Sequence, residues 1–195
     1  FGKAHNIAIH AAAADGARIH GIVNPDTSFG CNVIQKLVAR LEADSRIVAV
    51  MPSVRGPDGR FHSLCRRVPS PISLFLRRFV PDGTVRQVII SNDTFPLEHL
   101  TESIEVPLLS GCFLFARVDV LMKVGGFDER FFLYLEDFDL CRRMERCGAL
   151  TYDPGVQIEH SYGGGSYRSP RLLWHHVCSA IRYFNKWGWV FDADR

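Results

Sequence analysis

Apolar residues fall in two kinds of period that alternate along the first fifty positions. Asn6 to Ala14 is an Ala-rich segment that predicts a short helix running into Asp15-Gly16. Arg18 to Val23 (RIHGIV) reads as a strand, and it stops at Asn24-Pro25-Asp26 because Pro25 cannot donate to a ladder. From Cys31 to Ala43, Val33, Ile34, Leu37, Val38 and Leu41 recur at helical spacing. Ile47 to Met51 (IVAVM) is a buried strand closed by Pro52. This βαβ alternation predicts an α/β fold: an open, mostly parallel sheet with helices on its faces.

The middle of the chain is less regular. Gly56-Pro57-Asp58-Gly59 is a turn. Ser63 to Ile104 is rich in Arg and Pro, and reads as a variable connection with one short amphipathic helix and a strand at Val85 to Ile90. Regular patterning resumes after Ser110-Gly111, where CFLFAR predicts a strand. Val118 to Val124 follows as a helix capped by Gly125 and Gly126, then a helix from Leu135 to Cys147 ending at Gly148. Short strands are predicted at Leu150 to Tyr152 and Val156 to His160, and an amphipathic helix from Pro170 to Trp187. The pattern divides the chain into a domain over 1–168 and a C-terminal amphipathic helix and tail over 169–195.

Composition narrows the class. A chain of 195 residues with 47% apolar content supports one domain with a sizeable core. A net charge of +2, without a run of five like charges, argues against nucleic acid as a partner. The cysteines Cys31, Cys65, Cys112, Cys141, Cys147 and Cys178 lack metal-type spacing and sit mostly among apolar neighbours, so they read as reduced residues of a cytoplasmic protein. No apolar run approaches the ~20 residues of a membrane-spanning helix, and no signal peptide is visible. The chain starts at Phe1 rather than Met and is expected to be a fragment.

Three places carry candidate chemistry, each with a plainer alternative. Asp26 lies just past a strand's C-terminal edge, where open α/β sheets place ligands, and a carboxylate there suits a divalent cation carrying a phosphate. Asx-Pro-Asp equally favours a simple turn. Glu136 and Asp137 open a helix, where acids stabilise the macrodipole by ~0.3–1 kcal/mol; Asp139 shares that reading. Alternatively, one of them is a general base toward an acceptor hydroxyl. His160 ends an apolar strand before the glycine run Gly163–Gly165, and is either a structural histidine or an imidazole ligand beside a carboxylate. His175 and His176 point in different directions on a helix and read as surface or interfacial residues.

Taken in order, FGKAHNIAI, a strand ending in NPD, SGCFLFAR, GGFDERFFLYLEDFDLCRR and IEHSYGGGSYR resemble the family 2 glycosyltransferases of the GT-A fold. Within that family the chain is most similar to bacterial rhamnosyltransferase-like enzymes of O-antigen and other surface polysaccharides; the tail RLLWHHVCSAIRYFNKWG also resembles that subgroup. The resemblance implies a GT-A-like open mixed sheet, N-terminally truncated. It implies that Asp26 and His160 hold a divalent metal, Mn²⁺ or Mg²⁺, on the donor diphosphate. It implies that Asp137 is the catalytic base with Glu136 beside it, and that Asn24, Ser110, Gly111 and Asn6 contact substrate. The implied partners are a nucleotide-diphosphate sugar donor and a lipid-linked glycan acceptor at the inner face of the cytoplasmic membrane, with peripheral membrane contact through the C-terminal helix. A first strand and a second strand ending in a DN-type motif, which hold the nucleotide in such enzymes, are expected ahead of the segment that matches Phe1. The competing expectations are a non-catalytic remnant serving as a binding or scaffold domain, and a nucleotidyltransferase, which would need a glycine-rich phosphate loop near its start.

Overall fold

Ile22, Leu37, Val50, Phe113, Leu114 and Leu140 lie at the centre of one apolar core with no solvent exposure, and the elements arrange themselves to bury them. A computed structural model of the chain describes residues 1–80, 83–161 and 169–192. In chain order these form α1 (Gly2–Ala14), β1 (Ile19–Val23), β2 (Thr27–Phe29), α2 (Val33–Ala43), β3 (Ile47–Arg55), α3 (Pro71–Phe79), α4 (Thr84–Asp93), β4 (Ile104–Glu105), β5 (Phe113–Arg117), α5 (Val118–Lys123), α6 (Glu136–Glu145), β6 (Ala149–His160) and α7 (Pro170–Trp187). The Tyr162 and Gly163–Gly165 segment lies outside the described residues.

The described strands form one sheet in the order β1-β5-β3-β6-β2, with β4 on β6. It is mixed, but not mostly parallel as the alternation suggests. β3 and β6 pair in parallel, whereas β1 with β5, β3 with β5, β2 with β6 and β4 with β6 are antiparallel. The physical reason is an insertion. β1 and β3 do run in the same direction, as a βαβ unit requires, but β5 sits between them and runs against both. Hydrophobic periodicity reports the direction in which a chain returns, not which later strand slots into the gap.

Local chemistry explains the other departures. β3 continues through Pro52 to Arg55, because Pro52 sits at a register shift where β6 bulges, a place where a strand tolerates proline. The two short strands predicted near the end are one strand, β6, with that bulge in its middle. The strand expected at Val85 to Ile90 is instead helix α4. The amphipathic helix expected nearby is α3, opened by a capping box between Ser70 and Ser73 with Pro71 in its first turn. Gly148 follows α6 for reasons of space: a Cβ there would lie 2.4 Å from the Arg46 carbonyl oxygen.

α2 buries Leu37 and Leu41 against β3 and β6, each worth ~1.5–3 kcal/mol on removal from water. A second, smaller cluster joins Phe131 and Leu135, ahead of α6, to Tyr183 and Phe184 of α7. Helix α7 is thus docked on one face and open on the other. Tyr183, Phe184 and Ser179 are buried, whereas Trp174 and Ile181 are 66% and 44% exposed. No helix among the described residues is long and apolar enough to cross a membrane.

Candidate active site

Ser110, Gly111 and Cys112 precede β5 and tie two separate parts of the chain together. The Gly111 N–H donates to Asp137 Oδ2 at 3.0 Å, and the Cys112 carbonyl accepts from Asn24 N–H at 2.8 Å. One end of this short bridge therefore holds the first turn of α6, and the other holds the turn after β1. Gly111 is at its tight point: a Cβ there would stand 3.2 Å from the Asp137 Cβ.

At the first end, Glu136 and Asp137 floor a cleft of about 360 Å³ whose walls include Ser110, Tyr134, Arg66, Arg77, His62 and His176. Asp137 receives hydrogen bonds on both oxygens, from Gly111 and from its neighbour Phe138 N–H at 2.9 Å. Burial pushes its pKa up; those donors and the nearby Arg66 guanidinium pull the other way. Glu136 is buried, with Oε2 lacking a hydrogen-bond partner among the described residues, and burial together with the Asp137 carboxylate pushes its pKa up to about 8. Two carboxyls this close cannot both ionise easily. Both carboxyls are pushed up by burial, and the Gly111 and Phe138 N–H donors oppose that shift at Asp137 alone.

The backbone entering α6 is unusual. Tyr134 and Leu135 are consecutive non-glycine residues with φ of 68° and 63°. Such conformations persist only where packing imposes them. Here α7 does so: Ser179 Oγ donates to the Leu133 carbonyl at 2.7 Å, Tyr134 stacks on His176 at 4.9 Å, and Leu135 is buried against Tyr183 and Phe184. The strained turn aims the first turn of α6 into the cleft.

Asp139, expected as a further helix-capping acid, is instead fully buried and satisfied by Arg143, Lys186 and the Trp187 Nε1–H at 2.9 Å. Arg142, also buried, forms a bidentate pair with Asp192 and lies 4.0 Å over the Trp187 ring. These contacts bind the α7 end of the chain to the inner face of α6.

At the second end, β2 pairs with the last residues of β6, so that Thr27 stands opposite His160 and Ser161 N–H donates to the Asp26 carbonyl at 3.0 Å. The same pairing sets His160 Nε2 3.2 Å from Asp26 Oδ1. His160 is buried and Asp26 is half-exposed, so the pair has one anchored and one accessible member. Two ligands on adjacent positions of a small divalent ion stand about 3 Å apart, which this spacing matches. No group of three or more His, Cys, Asp or Glu able to hold a metal occurs among the described residues. A carboxylate oxygen beside an imidazole nitrogen is a donor pair whose chemistry suits a divalent ion.

The other expected site residues fall in three places. Ser110 lines the cleft, while Asn24 accepts from Thr27 Oγ1 at 2.7 Å through its carbonyl and shapes the Asp26 turn. Asn6 sits on α1, and its side chain makes a two-way clasp with Phe127, accepting from its N–H at 2.7 Å and donating to its carbonyl at 2.9 Å. Arg66 and Arg77, from the stretch read as variable, and His176, expected as a surface or interfacial residue, also line the cleft. The Arg-rich composition of residues 63–80 was the available signal.

Comparison with known proteins narrows what this arrangement belongs to. No family model matches the chain. An N-acetylglucosaminyl-diphospho-decaprenol L-rhamnosyltransferase of Mycobacterium tuberculosis is 32% identical over 181 residues, covering 89% of this chain and 54% of that protein. By sequence, the chain is a relative of bacterial rhamnosyltransferases. Rhamnosyltransferase WbbL of Escherichia coli is also 32% identical, over 97 residues covering 48% of this chain and 36% of that protein. The chain spans about half the length of the mycobacterial relative. The crystal structure of GalNAc-T7 with UDP, GalNAc and Mn²⁺ superposes with a TM-score of 0.54 at 16% identity, covering 91% of this chain and 34% of that one. The fold of this rhamnosyltransferase relative is therefore GT-A-like, as the motif order implied.

Proposed function

We propose that the chain carries the metal-binding and acceptor-activating part of an inverting glycosyltransferase. It would move a sugar, rhamnose by analogy with its relatives, from a nucleotide-diphosphate donor to a lipid-linked glycan. The observation that carries this reading is the bridge 110–112, which fixes the Asp137 carboxyl in the cleft while also holding the turn that presents Asp26 to His160.

Each residue has a role that follows from its surroundings. The acceptor oxygen attacks the anomeric carbon as the bond to the diphosphate oxygen breaks, and the diphosphate leaves with that electron pair. The acceptor proton passes to Asp137, which can accept it because the hydroxyl becomes acidic only as the new bond forms. Attack opposite the leaving group inverts configuration. Glu136, protonated, is a donor for a hydroxyl of the bound sugar. A divalent ion held by Asp26 and His160 would neutralise charge on the diphosphate. The open face of α7, with Trp174, Val177 and Ile181 beside Arg171 and Arg182, suits peripheral contact with an anionic membrane.

Asp137→Asn tests the reading in the full-length protein. It should abolish transfer, at least ~10²-fold in kcat, while donor affinity is retained. Transfer within about threefold of the natural protein would reduce Asp137 to a helix-capping residue.

A further inference from the structure

Tyr134 holds a backbone angle that its side chain does not favour, a φ of 68°, just before the two carboxyls of the cleft. Glycine or asparagine would take that angle at lower cost. For Leu135, at φ 63°, burial against Tyr183 and Phe184 supplies the reason. Tyr134 is only half-buried, and it lines the cleft together with Glu136 and Asp137. The centre of its ring lies 4.9 Å from that of His176, with the planes tilted by 37°, and His176 lines the same cleft. The left-handed turn therefore sets an aromatic wall, backed by α7, beside a pair of carboxyls. Strained non-glycine residues cluster at ligand sites, where that side chain is needed in that place.

Carboxyls and an aromatic face together match the two chemistries of a pyranose ring. Its hydroxyls lie around the rim and exchange hydrogen bonds with carboxyl oxygens. Its C–H groups gather on the two faces, carry a small positive charge and settle on the negative face of an aromatic ring. We infer that Tyr134, backed by His176, is the stacking platform for the acceptor's sugar and helps decide which sugar is accepted. The residues lining this cleft do not include Asp26 or His160, which lie toward the other end of the 110–112 bridge, so the sugar stacked here is the acceptor's rather than the donor's. This deepens the glycosyltransferase reading and rests on it for that assignment. A nucleobase would also stack on the ring, but it turns carbonyl oxygens toward the carboxyls where a sugar offers hydroxyl donors.

Saturation-transfer NMR on the full-length protein tests this without turnover, using the methyl β-D-pyranosides of glucose, galactose and mannose as probes and thymidine as the nucleobase control. At least one pyranoside should bind saturably, with the strongest transfer to the C–H protons of one ring face. Tyr134→Gly should weaken it about tenfold or more and Tyr134→Phe less than about threefold, because the ring and not the hydroxyl makes the platform. The glycine variant should melt close to the natural protein, since glycine relieves the left-handed angle as the ring contact is lost. Tyr134→Asn, which also tolerates that angle, is the second variant in case glycine loosens the turn. In transfer assays both should raise KM for the acceptor and spare donor affinity. If Asp137→Asn keeps full transfer while Tyr134→Gly still loses the pyranoside, the base assignment fails and the platform stands. The inference is overturned by pyranoside binding that survives in both variants, by loss of folding in both, by no saturable binding across the panel, or by thymidine binding more tightly than every pyranoside.

Discussion

The Gly111 N–H and the Asp137 carboxylate meet at 3.0 Å, and a methyl group on Gly111 would stand only 3.2 Å from the Asp137 Cβ. A strand entrance and a helix start, 26 positions apart in sequence, thereby become one rigid corner. Gly111→Ala should push the Asp137 side chain by a few tenths of an ångström. Misplacement on that scale is expected to lower kcat at least ~10-fold with little change in donor affinity. Initial rates against donor titration would separate the two, and an unchanged kcat would show the corner to be looser than its geometry.

Glu136 makes stability pH-dependent. Its folded pKa of about 8 lies above its ordinary value of 4.5, so the folded state keeps a proton that the unfolded chain releases. That contribution is fully present below about pH 4.5 and is lost as pH rises through about 8. Thermal denaturation across this window should show melting temperature falling with pH. Glu136→Gln, which cannot ionise, should flatten the slope; an unaltered slope would place the responsible proton elsewhere.

The Asp26–His160 pair predicts an order of effects on metal dependence. Asp26→Ala should raise the Mn²⁺ concentration needed for donor binding more than His160→Ala does, because the carboxylate supplies the charge. His160→Ala should also cost stability, since it empties a buried position at the end of β6. Calorimetric titration of Mn²⁺ with nucleotide sugar checks the order, and a metal requirement unaltered from the natural protein in both variants would move the ion site away from this pair.

Asn6 predicts a stability effect. Its amide exchanges hydrogen bonds with both backbone groups of Phe127, so Asn6→Ala leaves two polar groups without partners. A loss of ~1–3 kcal/mol is expected in denaturant unfolding. A loss of donor affinity at unchanged stability would instead make Asn6 a substrate contact.

Helix α7 predicts weak, salt-sensitive binding to anionic vesicles. Its apolar residues Trp174, Val177 and Ile181 are exposed beside the cations Arg171 and Arg182. Co-sedimentation with anionic vesicles should weaken as salt shortens the Debye length from ~30 Å at 0.01 M to ~8 Å at 0.15 M. Trp174→Ala with Ile181→Ala should weaken it further at fixed salt. No co-sedimentation at low salt would refute membrane contact by this face.

Much of the local structure could be read directly. The 3.6-residue period of Val33 to Leu41, the apolar run at Ile47 to Met51, the turn forced by Pro25 and the acids opening α6 are encoded by neighbours in sequence. Such short-range preferences need only the backbone and adjacent side chains. They also bring Asp26, His160 and Asp137 each to the end of an element.

What lay beyond the pattern was set by pairing and packing at long range. The insertion of β5 between β1 and β3 made the sheet mixed rather than mostly parallel, because adjacency depends on which edges remain to be filled. The bulge opposite Pro52 allowed β3 to run on, and α4 formed where apolar residues alone suggested a strand. Tyr134 and Leu135 take left-handed backbone angles that neither side chain favours, and they do so because α7 packs over them. The hydrogen bond that opposes burial at Asp137 likewise depends on Gly111, which approaches only in the folded chain. Neighbouring residues specify which groups can do chemistry, whereas long-range packing sets which of them meet, because only the folded chain brings Gly111 to Asp137 and His160 to Asp26.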